Sequence, residues 1–368
     1  MRAGRRAAGA RLVRGWEEGF PPGPARRLLG VAEGGYRGLL GAREWLYARG
    51  VLRCRALPCP VVSIGNLTVG GTGKTPAVEV AVATLAALGR RPAVVSRGYG
   101  RKSGGIHVVA DAAAIRLDAE DAGDEPFLLA RRLPGVPVVV GANRYAAARL
   151  ALERFGVSAI VLDDGFQHRT LRKDLEIVMT RARRPWGNGR LLPGGPLRES
   201  LRALARADLV VATGAARPQD APEVVATVAA HAPGVPVLAA AYVPAECWEA
   251  ARMRPVALGA LAGRRLLAFA GIAAPPAFEH TLGEAGLAVA ELVPFADHHW
   301  YSPADLGALE RRAAALAAEG LITTEKDWIR LRRLPLPHRP LYVLSVRLEL
   351  RSGEAAWRAA FERVCSSA

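Results

Sequence analysis

Residues 60–89 read PVVSIGNLTVGGTGKTPAVEVAVATLAALG. An apolar run at 60–64 enters a glycine-rich turn, the turn ends in Gly73-Lys74-Thr75, and an alanine- and leucine-rich helical pattern follows. Strand, glycine loop and helix in this order form a cradle for phosphate. Glycines let backbone N–H groups converge on phosphate oxygens, and the helix N-terminus adds partial positive charge. A lysine at its start reaches the outer phosphates, and the next hydroxyl can ligate Mg²⁺. Thr68, Val69, Gly70, Gly71, Thr72, Gly73, Lys74 and Thr75 are the expected nucleotide-binding residues, with Thr75 also a metal candidate. The strict pattern has glycine six residues before the lysine, where this chain has Thr68. Pro76 does not oppose the helix, since proline is tolerated in a first turn.

Around this unit, short apolar runs alternate with helical patterns. Strands are predicted at 61–66, 93–96, 136–141, 159–163, 175–179 and 209–213, and helices at 74–88, 125–132 and 144–155. That alternation implies an α/β fold of the P-loop NTPase type, a mostly parallel sheet with helices on both faces. After about residue 215 the chain turns alanine- and proline-rich. Strand signals resume at 237–241, 266–270, 288–293, 321–324 and 341–346, read as a smaller C-terminal α/β lobe. The expected division is 1–57, 58–215 and 216–368. The stretch 100–124 shows no clear element and reads as a mobile loop near the phosphates.

Charge narrows the partners. The 368 residues carry 50 basic and 34 acidic side chains, formally +16, and 51% of the chain is hydrophobic, enough for a substantial core. Residues 1–57 hold 12 arginines against 4 glutamates, half of that surplus. Such a surface favours anionic partners: nucleic acid, anionic lipid or phosphorylated substrates. No apolar run approaches the roughly 20 residues that span a bilayer, and no signal-peptide core is present. A helical pattern over 26–51 places Leu29, Ala32, Tyr36, Leu39, Leu40, Tyr47 and Val51 on one side, interrupted by Arg43. It reads either as a helix lying on an anionic membrane surface or as one packed on the protein's own core. The four cysteines, Cys54, Cys59, Cys247 and Cys365, form no CxxC or metal-ligand spacing, in keeping with a reducing compartment. Aromatics are not interleaved with the basic runs and no nucleic-acid motif occurs, which argues against a nucleic-acid partner.

Several short motifs carry acids and cations at strand ends. Residues 159–165 read AIVLDDG, and a carboxylate at a buried strand tip beside the lysine loop can hold Mg²⁺, so Asp163 and Asp164 are metal candidates. Gln167 and His168 follow. SRGYGR offers Arg97 and Arg101 for a phosphate or an acidic ligand, or is a plain turn. Asp124 in AGDEP precedes a helix pattern and reads as an N-cap. FADHHWY crowds Asp297, His298 and His299 behind a strand, a composition suited to proton transfer. TEKD and GPLRES, taken alone, read as solvated loops. TEKD has its lysine one place late for guanine recognition. The partition-type ATPases' upstream signature lysine is replaced here by Val69.

In order along the chain, GNLTVGGTGKTP, SRGYGR, GDEP, GANR, LDDGFQHR, LLPGGPLRE, FAGIAAPPAF, FADHH and TTEKDWIRL resemble the tetraacyldisaccharide 4′-kinase family, the lipid A 4′-kinases. The resemblance spans about residues 60–332. It implies a two-lobed kinase using ATP and Mg²⁺ to phosphorylate the 4′-hydroxyl of tetraacyldisaccharide 1-phosphate, giving lipid IVA. It implies a peripheral, monotopic position on the cytoplasmic face of the bacterial inner membrane, with 26–51 as the membrane-surface helix. It further implies Asp124 as base with His298 as its dyad partner, and Glu199 beside Thr75, Asp163 and Asp164 as metal candidates. Arg97, Arg101, Asn143, Arg144, Gln167, His168 and Arg198 are the implied substrate-binding set. Lobe closure would then bring Asp124 and His298 together. The rival readings are a P-loop phosphotransferase acting on another acidic acceptor, and a nucleotide-dependent nucleic-acid-binding protein.

Overall fold

The computed structural model describes residues 15–16, 19–20, 23–71 and 73–366. Its elements run α1 (Pro24–Ala48), β1 (Val61–Gly65), α2 (Lys74–Ala87), β2 (Pro92–Ser96), β3 (His107–Ala110), α3 (Ala119–Ala122), α4 (Asp124–Arg132), β4 (Val138–Val140), α5 (Arg144–Phe155), β5 (Ala159–Asp163), β6 (Leu175–Arg181) and β7 (Leu209–Thr213). They continue with α6 (Pro222–His231), β8 (Val237–Glu249), β9 (Arg254–Pro255), β10 (Leu266–Ala270), α7 (Pro275–Glu284), β11 (Val289–Pro294), α8 (Pro303–Ala315), β12 (Gly320–Thr324), α9 (Glu325–Leu331), β13 (Leu341–Ser352) and α10 (Glu354–Ser366).

One sheet runs through both halves, in the order β11-β10-β12-β13-β8-β7-β6-β1-β5-β2-β4-β3, with β9 paired to β8. Pairing is parallel except where β3 meets β4, β8 meets β13 and β9 meets β8. Every residue of β1, β2, β5, β7 and β10 is buried, which is why these strands read as largely apolar runs. Alternate side chains feed opposite cores. Val62 and Ile64 pack with Val78, Ala81 and Leu85 of α2 and with Phe361 of α10. Val61 and Ile160 pack with Ala147 and Ala151 of α5 on the other face.

The two halves meet in a ribbon. β8 and β13 pair antiparallel from Tyr342↔Glu249 to Ser352↔Ala239, with register shifts at Leu344/Val346 and Leu350/Ser352. At one end β8 joins β7, and at the other β13 joins β12. The chain then returns, since Trp357, Phe361 and Val364 of α10 share the core of α2. The C-terminal helix thus packs on the first half rather than on the lobe that precedes it.

Two expectations change. The stretch 100–124 is not element-free: it holds β3, α3 and the first residue of α4. The inward face of α1 also differs from the predicted one. Leu29, Tyr36, Leu40 and Tyr47 do face the protein, but Ala32, Leu39 and Val51 are exposed. Polar groups pin the inner side instead. Glu33 is buried against Arg190 and accepts from the Leu191 N–H, Tyr36 Oη donates to the Arg198 carbonyl at 2.8 Å, and Arg43 pairs with Glu199. Arg43 interrupts the apolar stripe because it points inward to a buried carboxylate. Leu28, Val31, Leu39 and Trp45 form the solvent side, each more than half exposed. Among the described residues no helix is long and apolar enough to cross a membrane.

Candidate active site

β1 lies between β5 and β6, so the loop after it opens where the strand order reverses, the usual place for a ligand in such sheets. The β1–β5 register pairs Ile64 with Asp163, which sets the acid strand tip beside the entrance to the glycine loop. A cavity of about 920 Å³ opens there. Val69, Gly70, Gly71, Gly73, Lys74 and Thr75 form one wall. Thr72 falls outside the described residues.

The loop is held from three sides. The Val69 N–H donates to the Pro196 carbonyl at 2.8 Å, and Thr68 bridges to Leu197, so the segment read as a solvated loop is the loop's backing. The Asn66 amide donates to the Thr68 carbonyl at 2.8 Å, and its Oδ1 accepts from Lys74 Nζ at 3.3 Å. Tyr242, reaching over from β8, donates to the Gly73 carbonyl at 3.0 Å. Gly73 has φ 69°, and a Cβ there would lie 1.5 Å from the tyrosine oxygen, so any other residue would be strained and would have to displace Tyr242.

Asp163 and Asp164 are neighbours in opposite states. Asp163 is buried, accepts from Ser96 Oγ at 2.9 Å, and is pushed up to about 7 by burial and then by the charge of Glu125. Asp164 takes a left-handed turn (φ 54°) that aims it at Lys74 (3.4 Å) and Arg198 (2.8 Å). Burial pushes it up, but those two cations prevail and hold it at about 2.

Across the cavity, Asp124 and His298 are joined: Nδ1 of His298 lies 2.8 Å from Oδ2 of Asp124. They are 174 positions apart in sequence and are in contact in this conformation. Asp124 is not an N-cap. Gly123 caps α4, and Asp124 is its first residue, with Oδ1 accepting from the Glu125 N–H. Only 8% of the Asp124 side chain is exposed, against 34% for His298, so the imidazole presents the pair to the cavity. Burial pushes the Asp124 carboxyl up, but the His298 hydrogen bond and the Arg330 charge outweigh it and hold the group well below the carboxylate range. The same hydrogen bond raises the His298 imidazole above its ordinary value, against burial. His299 turns away to Asp305 at 3.1 Å and stacks on Phe295.

Arg97, Arg144, Gln167, His168 and Arg198 line the cavity as expected. Arg144 is 5% exposed, with Nε lacking a protein partner, and burial followed by the charge of Arg97 brings it down to about 10. Burial and then the charge of Arg144 hold His168 down at about 4, so it stands neutral. Three expected site residues do otherwise. Arg101 folds back on the Gly105 carbonyl of its own loop. Asn143 caps α5, accepting from the Ala146 N–H at 3.1 Å. Glu199 is 2% exposed, pairs with Arg43 through one oxygen and Arg206 through the other, and does not line the cavity.

Sequence reasoning missed Asn66, Tyr242, Arg330 and the Lys326–Glu125 pair (2.8 Å), which crosses between the two halves. Asn66, Lys326 and Arg330 lie in motifs quoted above, and a scarce lysine next to acids was the signal available. Tyr242 had none. Among the described residues no three His, Cys, Asp or Glu side chains group as a ready-made metal site. Magnesium does not require one, since it keeps waters and takes one or two carboxylates together with substrate phosphates. Asp163, buried near Glu125 and Asp164, is a carboxylate whose ionised form a divalent cation would stabilise, so this corner fits Mg²⁺.

A family model, tetraacyldisaccharide-1-P 4′-kinase, matches residues 25–366. A tetraacyldisaccharide 4′-kinase of Syntrophus aciditrophicus is 41% identical over 356 residues, covering 93% of this chain and 94% of that protein. One of Anaeromyxobacter dehalogenans is 45% identical over 321 residues, covering 86% of this chain and 84% of that protein. The crystal structure of LpxK from Aquifex aeolicus in complex with ATP superposes with a TM-score of 0.72 at 31% identity, covering 92% of this chain and 99% of that one.

Proposed function

The chain belongs to the tetraacyldisaccharide-1-P 4′-kinase family, and from that premise we propose that it transfers the γ-phosphate of ATP to the 4′-hydroxyl of tetraacyldisaccharide 1-phosphate, giving lipid IVA. The observation that carries this reading is one cavity lined by the glycine loop and by His298, whose imidazole is already joined to Asp124 behind it. A sugar hydroxyl is a weak nucleophile. It needs a base near its proton and fixed positive charge around the transferring phosphoryl group.

The residues divide accordingly. The loop N–H groups and Lys74 bind the β- and γ-phosphates. Thr75, Asp163 and Asp164 would hold Mg²⁺, which supplies charge neutralisation on the phosphates when bound. Asp124, acting with His298, receives the hydroxyl proton; the aspartate supplies the negative charge and the imidazole forms the surface nearest the cavity. Arg97, Arg144 and Arg198 surround the same space with positive charge, suited to phosphate on either substrate.

The acceptor's fatty acyl chains give α1 its role. Its inner side adds Tyr36 and Arg43 to the cavity wall, while Leu28, Val31, Leu39 and Trp45 point outward. An apolar stripe on a basic segment suits the surface of an anionic membrane. The enzyme would then meet its lipid at the cytoplasmic face of the inner membrane.

Labelled γ-phosphate, Mg²⁺ and tetraacyldisaccharide 1-phosphate in detergent test the reading. Labelled lipid is expected from the wild-type chain. Asp124→Ala should lower kcat by about 10²–10⁴ with ATP affinity retained. Absence of labelled lipid from folded, ATP-binding wild type would overturn the assignment.

A further inference from the structure

Behind the Asp124–His298 pair lies a guanidinium that the roles above leave unused. The Arg330 side chain is 0% exposed. Its Nε donates to Asp124 Oδ2 at 2.7 Å, its Nη1 donates to the Gly271 carbonyl at 2.8 Å, and its Nη2 stands 3.4 Å from His298 Nδ1. Asp327, on the same short helix, lies 3.4 Å from Nη1. That carboxylate is itself fixed by the Gly271 N–H (3.0 Å), the Tyr301 hydroxyl (2.9 Å) and the Thr324 hydroxyl (2.6 Å). The ends of β10 and β12 and the loop carrying His298 therefore converge on one arginine, and that arginine meets an acid supplied by the other half of the sheet.

We infer that Arg330 is a positioning residue for phosphotransfer, fixing Asp124 against His298 and keeping the pair in its proton-accepting form. The inference rests on the reading of Asp124 and His298 as the base. Arginine suits this role because its fork carries several directed donors and its charge does not titrate. A nearly buried carboxylate without such a partner would instead take up a proton.

The charges around the pair give the direction of the effect. Asp124 faces His298, Arg330 and Lys326, with Glu125 beside it. Lys326 is the second cation, but it is bound to Glu125 at 2.8 Å. His298 faces Asp124, Arg330 and Asp297, whose carboxylate is 3.9 Å from Nε2. Arg330 opposes protonation of both members of the pair. Its removal leaves Asp124 and Asp297 drawing a proton onto His298, so protonation begins at higher pH whichever member receives the substrate's proton.

The test compares the full-length wild type with Arg330→Gln and Arg330→Lys. Two readouts are followed: the pH profile of kcat/KM, and the His298 titration by histidine NMR, assigned with His298→Gln. For Arg330→Gln the acid limb and the His298 midpoint should both move upward, by about one pH unit or more. For Arg330→Lys, which keeps the charge but loses the fork, the limb should stay in place while kcat falls about tenfold or more. A folded Gln variant with neither midpoint moved would make Arg330 merely structural. If the Gln variant does not fold, the Lys variant decides, and unchanged kcat there overturns the inference. The NMR titration needs no lipid acceptor, so it stands even if the phosphotransfer reading fails.

Discussion

The two walls of the cavity are built by different means. The glycine-loop wall is local in its residues: Asn66, Gly73, Lys74 and Thr75 lie within ten residues, and its shape comes from backbone and glycine conformation, backed by Pro196, Leu197 and Tyr242. The opposite side is assembled from a distance: His298 lines the cavity with Asp124 and Arg330 behind it, three separate elements fixed by buried charge. A local wall is specified by sterics and tolerates few side chains. A long-range wall is specified by ion pairs whose removal leaves uncompensated charge.

That contrast can be broken from either side. The largest effect is expected from Asp327→Ala, which deprives Arg330 of a partner and leaves the Tyr301 hydroxyl and Gly271 N–H unsatisfied. Unfolding in denaturant should show a loss of about 3–5 kcal/mol, while ATP affinity of the folded protein stays within about twofold, because the nucleotide wall does not depend on it. Next comes Gly73→Ala. The left-handed backbone and the overlap with Tyr242 should cost about 2 kcal/mol in the loop. Calorimetry should then show ATP binding weakened about 30-fold, with the His298 titration unmoved. Tyr242→Phe sharpens the comparison with the smallest change. It removes the hydrogen bond to the Gly73 carbonyl, worth about 1 kcal/mol, and should weaken ATP binding about fivefold. A larger loss of stability than of ATP affinity in that variant would mean the tyrosine serves the β8 strand more than the loop.

The same contrast explains what could be read in advance. The parallel strands announced themselves because a strand covered on both faces is apolar at nearly every position, as in β1 apart from Ser63 and β5 up to its terminal Asp163. β3 and α3 went unseen because four residues carry too little periodicity to register. The phosphate loop was legible from its spacing alone. Asp124 and His298 were visible as isolated acids and imidazoles, and only the family resemblance paired them. Glu199 entered the metal set through the family resemblance alone. Nothing in the local sequence reveals that Arg43, 156 positions earlier, neutralises it. The inward face of α1 was misjudged for the same reason, since buried Glu33 and inward-pointing Arg43 owe their places to partners far along the chain.

The β8–β13 ribbon has a mechanical consequence. Two halves joined by a flexible linker could swing freely, but here they are leaves on a two-stranded torsion spring. The ribbon is irregular at Leu344/Val346 and Leu350/Ser352, where an extra residue bends a strand and adds local twist. Arg132–Glu325, Lys326–Glu125 and Arg330–Asp124 act as latches across the gap. Tyr242 projects from the spring itself onto Gly73. Any displacement of β8 at Tyr242 would therefore be felt at the Gly73 backbone.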